Sequence, residues 1–226
     1  MMKNLKVNNN NLVAILKVTG MKAKLMILCC AFFFISQQSQ AQFILEPFVG
    51  NDDFILESWY YNSINESKSL SIFSLNEARH NFETESNSFL SYGVLGYDWK
   101  KGFGPIIGWR ISPYSAAALA GFQYGIYREN FFIILNLNSE LKKDPNLEMY
   151  SIIQYRKPIT EKFKAFSQLQ ISKNFTVDNH SFSLYRFRLG ADLGKIQTGI
   201  GLEQTMSGKN WSYDIQPGFF VRLELY

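Results

Sequence analysis

From about residue 89 to the end of the chain, apolar and polar residues trade places in runs of roughly nine to twelve, broken by turn residues. In residues 195–204, Ile196, Thr198, Ile200 and Leu202 fall on one side and Gln197, Gly199, Gly201 and Glu203 on the other. Successive strand side chains point to opposite faces, so the segment has one apolar face and one small or polar face. Phe131, Ile133, Leu135 and Leu137 likewise oppose Phe132, Ile134, Asn136 and Asn138. The same division sets Met149, Ile153 and Tyr155 against Glu148, Gln154 and Arg156, and Leu169 and Ile171 against Gln168 and Gln170. It also sets Phe187 and Leu189 against Arg186, Arg188 and Asp192, and Phe219, Val221 and Leu223 against Phe220, Arg222 and Glu224. Helical spacing, with apolar residues three and four apart, does not fit these runs.

Turn chemistry divides the runs. Short turns are expected at 100–102, 128–130, 157–160 and Gly194, and longer polar loops at 76–87, 138–146, 173–180 and 205–211, with 112–115 in the long series. Counting back from Tyr226 reaches ten strands near Leu70 and an eleventh at 54–61. An even-numbered barrel then needs a strand at 43–49, with 50–52 as a tight loop. The expectation is all-β: an antiparallel up-and-down transmembrane β-barrel of twelve strands, or ten if the first hairpin is irregular.

The chain's start changes the compartment and the charge. Residues 21–41 read as a signal peptide: Lys22 and Lys24 are the charged start, 25–35 an uncharged apolar run, and Ser39 and Ala41 the small residues before a cut at Gln42. The apolar run is shorter than the about 20 residues of a spanning helix. Residues 1–20 read as a misassigned start or an extension, and 42–226 as the barrel. Of the 23 Lys and Arg, five lie before residue 42, where there is no acid, leaving 18 bases against 19 acids. The basic character therefore belongs to the leader and gives no support for nucleic-acid binding. Both cysteines, Cys29 and Cys30, also lie there, so the remaining chain has neither disulfides nor cysteine-bound metals. Leu28 before Cys29 is a poor match to a lipoprotein signal.

No run after residue 41 approaches the length of a spanning helix; 114–126 comes nearest and is interrupted by Gly121, Gln123 and Gly125. A chain that crosses lipid without such a helix must close a barrel, because lipid offers no partner to a free backbone N–H. Trp59, Tyr60, Tyr61, Tyr97, Trp99, Phe103, Tyr114, Tyr127, Phe131, Tyr155, Phe163 and Trp211 fall near expected strand ends, as interfacial aromatics do.

Signal, alternation, loop pattern and the ending Phe219-Phe220-Val221-Arg222-Leu223-Glu224-Leu225-Tyr226 together resemble outer-membrane β-barrel proteins of the porin-like kind. The resemblance covers the broad architecture. It implies the outer membrane of a Gram-negative cell after Sec export and signal removal, contact with outer-membrane lipid, and recognition of the last strand by the barrel-insertion machinery. Tyr226 departs from the family pattern by sharing a face with Glu224 and Arg222.

Chemistry is sparse. In lipid-cleaving outer-membrane barrels the catalytic His and Ser lie two apart on one strand. Here Ser181 and Ser183 follow His180 at one and three residues, on the opposite face of a regular strand, and Phe82 stands two after His80. A bulge in the strand would restore the geometry. The chain is thus expected not to be an enzyme, and neither a metal nor another cofactor is expected. Asn51, Asp52 and Asp53 read as a polar turn rather than a calcium loop, and Gly102 and Gly104 lack a phosphate-loop pattern.

The polar face carries the functional expectation. Arg110, Gln154, Arg156, Gln168, Gln170, Arg186, Arg188, Asp192, Gln197, Glu203, Arg222 and Glu224 should line the lumen. They either border a narrow path for small polar solutes or pair with one another and plug the barrel. Mixed signs on adjacent strands favour pairing; the room inside twelve strands, against eight, favours a narrow channel. A soluble periplasmic barrel holding an apolar ligand would reverse the two faces.

Overall fold

The computed structural model describes residues 42–226 apart from Glu66, Lys68, Lys100, Val177, Asp178, Lys209 and Tyr226. The signal peptide and the phase of Tyr226 therefore lie outside the described residues. Twelve strands follow one another: β1 (Gln42–Gly50), β2 (Asp53–Ser63), β3 (Leu70–Asn81), β4 (Asn87–Tyr97), β5 (Phe103–Ser112), β6 (Ser115–Arg128), β7 (Phe131–Glu140), β8 (Leu147–Pro158), β9 (Lys164–Phe175), β10 (His180–Asp192), β11 (Ile196–Ser207) and β12 (Ser212–Leu225). Each pairs antiparallel with its sequence neighbours, and β1 pairs with β12, so the sheet closes into a barrel. Twelve strands, rather than ten, is the outcome. Closure satisfies the two edges that an open sheet would leave unpaired.

Alternation sorts the two surfaces of the wall. Outside stand Ile107, Ile153, Leu189, Ile196, Ile200, Phe219 and Val221, all exposed on the isolated barrel. Inside, one cluster joins Ile44, Trp59, Phe73, Leu75, Tyr92, Val94, Ile106, Leu119, Ile134, Tyr150 and Ile152, and a second joins Phe48, Ile55, Phe166 and Phe220. The interior is thus partly apolar, where the lumen lining expected from the sequence was polar and charged; Ile134 and Phe220 already fell on that side of the alternation. Twelve strands enclose more space than small side chains fill, and large aromatics and arginines occupy it.

The connections differ from expectation. At the end away from the two strand termini they span 51–52, 82–86, 113–114, 141–146, 176–179 and 208–211; at the terminal end, 64–69, 98–102, 129–130, 159–163 and 193–195. No consistent length asymmetry separates the ends. Residues 76–81, expected in a long loop, continue β3 and pair with 53–58 of β2. The polar side chains there alternate across the wall, and the ladder gives their backbone groups partners.

Trp59 is also placed differently from the aromatic girdle expected at the strand ends. Its ring is inside, 4 % exposed, and its indole N–H donates to Glu57 at 2.5 Å. The rings of Trp99, Phe103 and Phe122 do cluster on the outside near the terminal end, with Phe103 stacked on Phe122 at 5.7 Å.

Candidate functional site

All the residues expected on the polar face point inward. Gln154, Gln168, Gln170, Arg186, Arg188, Asp192, Gln197, Glu203, Arg222 and Glu224 are buried, and Arg110 and Arg156 are half-buried. They do not form an open ring. Arg186 on β10 donates through Nε to Glu203 on the adjacent β11 at 2.8 Å. It also pairs with Glu57 on β2, and through Nη2 with Glu77 on β3 at 2.9 Å. Strand β10 is adjacent to neither β2 nor β3 in the wall, so the contacts of Arg186 with Glu57 and Glu77 cross the lumen.

A second knot forms beside the closing seam. Glu46 on β1 accepts from Arg188 Nε at 2.9 Å through one oxygen and from Arg222 Nε at 2.8 Å through the other. Arg222 also donates to Gln168 at 2.6 Å and Gln154 at 3.1 Å. The guanidinium of Arg188 lies 4.1 Å from the centre of the Phe48 ring, and that of Arg222 lies 4.8 Å from Trp59 and 5.0 Å from Phe166. Guanidinium groups are weakly hydrated and stack well on aromatic faces, so this surrounding suits them better than it would lysine. Arg156 pairs with Glu224 and reaches Asp192 at 3.5 Å.

Towards the far end, Arg79 binds Asp53 at 2.6 Å and also pairs with Glu203. Asp53 accepts from Asn81 at 2.7 Å and from Gln216 at 3.2 Å, so it belongs to this interior network. Arg110 donates to Asn174 at 2.6 Å and to Glu148 at 3.3 Å, and pairs with Glu140.

The carboxylates Glu46, Glu57, Glu77, Asp53 and Glu140, together with Arg79, were missed by sequence reasoning, and Glu148 was placed on the polar face without being counted among the lumen-lining residues. Glu77 and Arg79 sat in the segment assigned to a loop. Glu46 and Glu57 sit in strands whose two faces are both largely apolar; the only available signal was a lone acid within an apolar run, as in Ile44-Leu45-Glu46-Pro47-Phe48.

One exterior feature reverses the face assignment drawn from the sequence. The register of β10 against β9 shifts between His180 and Phe182. This bulge places His180 and Ser183 on the same face, with His180 Nε2 2.9 Å from Ser183 Oγ. The other ring nitrogen lies 3.3 Å from the carbonyl oxygen of Gly208, and the ring stacks on Trp211 at 3.8 Å between centroids.

No protein-family model matches this chain, and no curated protein matches it. It is similar to a solved structure described as a bacterial polysaccharide outer membrane secretin, with 6% identity, a TM-score of 0.41, and coverage of 82% of this chain and 98% of that one. It is also similar to the beta domain of the Bordetella autotransporter Brka, with 11% identity, a TM-score of 0.32, and coverage of 82% and 98% respectively. The molecule itself is a closed twelve-strand antiparallel barrel, an architecture in keeping with that of outer-membrane barrels.

Proposed function

We propose that the chain is an integral outer-membrane barrel whose lumen is closed by its own side chains. The observation that carries this reading is the burial of Arg186, Arg188 and Arg222, each 0% exposed within the barrel. In a water-filled path these guanidinium groups would be wetted. Instead each is held by carboxylates from other strands. A buried charge without partners costs several kcal/mol, so the lumen is organised around these pairs. The apolar outer wall and charged interior support a lipid-facing exterior, the inverse of a soluble barrel around an apolar ligand.

A narrow channel is the second reading. Asn136 Oδ1, Asn138 Oδ1, Gln170 Oε1 and Tyr150 Oη are buried without a protein partner. Such groups are ordinarily satisfied by internal water, which would mark the start of a wet path along β7 to β9.

The discriminating experiment is fractionation and gel mobility with and without boiling, followed by conductance in planar bilayers. The closed-lumen reading expects outer-membrane recovery, heat-dependent mobility and no steady conductance. Steady single-channel currents would replace it with the narrow channel. A soluble product indifferent to boiling would end both.

A further inference from the structure

A barrel with a filled lumen leaves its outer wall as the surface for chemistry, and the pair at the far end of β10 is built for it. Gly208 offers only a carbonyl acceptor, so the imidazole nitrogen facing it at 3.3 Å carries the hydrogen. In the neutral ring Nε2 is then an acceptor, and the Ser183 hydroxyl 2.9 Å away donates to it. A hydroxyl bonded to a base, with the base oriented by a third group, is the arrangement that activates a serine nucleophile.

Two neighbours add to the arrangement. Lys173 stands directly across β9 from Ser183 in the ladder, on the same outer face, with its ammonium 5.4 Å from the centre of the Tyr185 ring. It places a cation on the strand next to Ser183 on that face of the wall. Trp211 covers the imidazole from a turn in which Gly208 has φ 69° and Trp211 itself has φ 54°. A bulky residue in the left-handed region is uncommon and strained. Ser183 is 0% exposed, so the hydroxyl stands closed off, with Trp211 over its imidazole partner.

We infer that Ser183 and His180 form a covered nucleophile–base pair that cleaves acyl esters of membrane lipid, with Trp211 as the movable cover. The substrate class follows from position: the pair lies on the outer wall beside Phe175 and Trp211, near the rim, where lipid ester groups lie between chains and headgroups. That assignment rests on the lipid-facing reading of the wall. In the first step Ser183 Oγ bonds to the ester carbonyl carbon while its proton passes to His180 Nε2. The carbon–oxygen bond to the alcohol breaks, and the proton leaves with the alcohol. Water then attacks the acyl carbon, giving a proton to Nε2. That proton returns to Ser183 Oγ as the free acid departs.

The test is labelling of the refolded full chain in detergent micelles with a fluorophosphonate probe, with peptide mapping, alongside hydrolysis of p-nitrophenyl palmitate. The inference expects label on Ser183, faster labelling in Trp211→Ala, and a loss of about 100-fold or more in hydrolysis in His180→Asn. Heat-dependent gel mobility of each variant verifies the barrel separately, so failure of the lipid-facing fold and failure of the site read out differently. If folded wild type and folded Trp211→Ala both stay unlabelled, or if labelling is indifferent to His180→Asn, the contact is a structural clip and the inference is overturned.

Discussion

Arg222 and Glu46 meet across the seam where the last strand closes on the first, with Nε donating to the carboxylate at 2.8 Å and both side chains buried. Glu46 uses its other oxygen for Arg188 at 2.9 Å. One carboxylate thus holds two guanidinium groups and ties β1 to β10 and β12.

Glu46→Ala leaves two buried cations without their shared partner. The expected loss is about 3–5 kcal/mol, the range for breaking a buried pair from one side. Urea unfolding of the refolded barrel in vesicles, followed by gel mobility, measures it. A loss below about 1 kcal/mol, the size of an exposed pair, would mean that water reaches the seam.

Leu189 is outside and Arg188 inside on adjacent positions of β10. Leu189→Arg near the midplane is expected to cost about 2–4 kcal/mol in a bilayer. A cysteine scan across 184–193 checks the faces. Lipid-soluble and water-soluble thiol probes should label with period two, and absence of that period removes the lipid-facing assignment of this strand.

Tryptophan fluorescence reports both surfaces. Trp59 is inside beneath Arg222, while Trp109 is exposed on the outer wall. In single-tryptophan variants, brominated lipid should quench Trp109 strongly and Trp59 weakly. Equal quenching would contradict the interior position of Trp59.

Gly201 makes room for the seam. A Cβ there would lie 2.7 Å from Arg188 Nη1 and 2.9 Å from a Phe48 ring carbon. Gly201→Ala should therefore be destabilising, and Phe48→Ala should relieve part of the crowding. The double variant is expected to be more stable than the sum of the singles predicts by about 0.5–3 kcal/mol, as measured in a double-mutant unfolding cycle. Strict additivity would show that the two positions do not share this space.

The outer face of β7 to β12 was legible because one wall surface meets one solvent, and a period of two records that contact residue by residue. Leu189, Ile200 and Phe219 stand where the alternation puts them, and Arg186, Arg188 and Arg222 stand opposite. The inner face of β4 to β6 was not legible: Tyr92, Val94, Ile106 and Leu119 are apolar filler on the side expected to be polar. Their burial depends on how much space twelve strands enclose, which no single strand records.

Alternation by itself thus determined the strand content and which side of the later strands is apolar, while the twelfth strand followed from the even number that closed barrels of this type require. Tertiary structure alone decided the partners. Arg186 meets Glu57 at a separation of 129 residues because closure faces β10 towards β2, and sequence distance carries no trace of that. It also decided the exterior pair: the extra residue between His180 and Phe182 shifts the phase of one strand, bringing His180 and Ser183 to one face. A bulge is a property of how two strands pair, so a pattern read along one strand does not contain it.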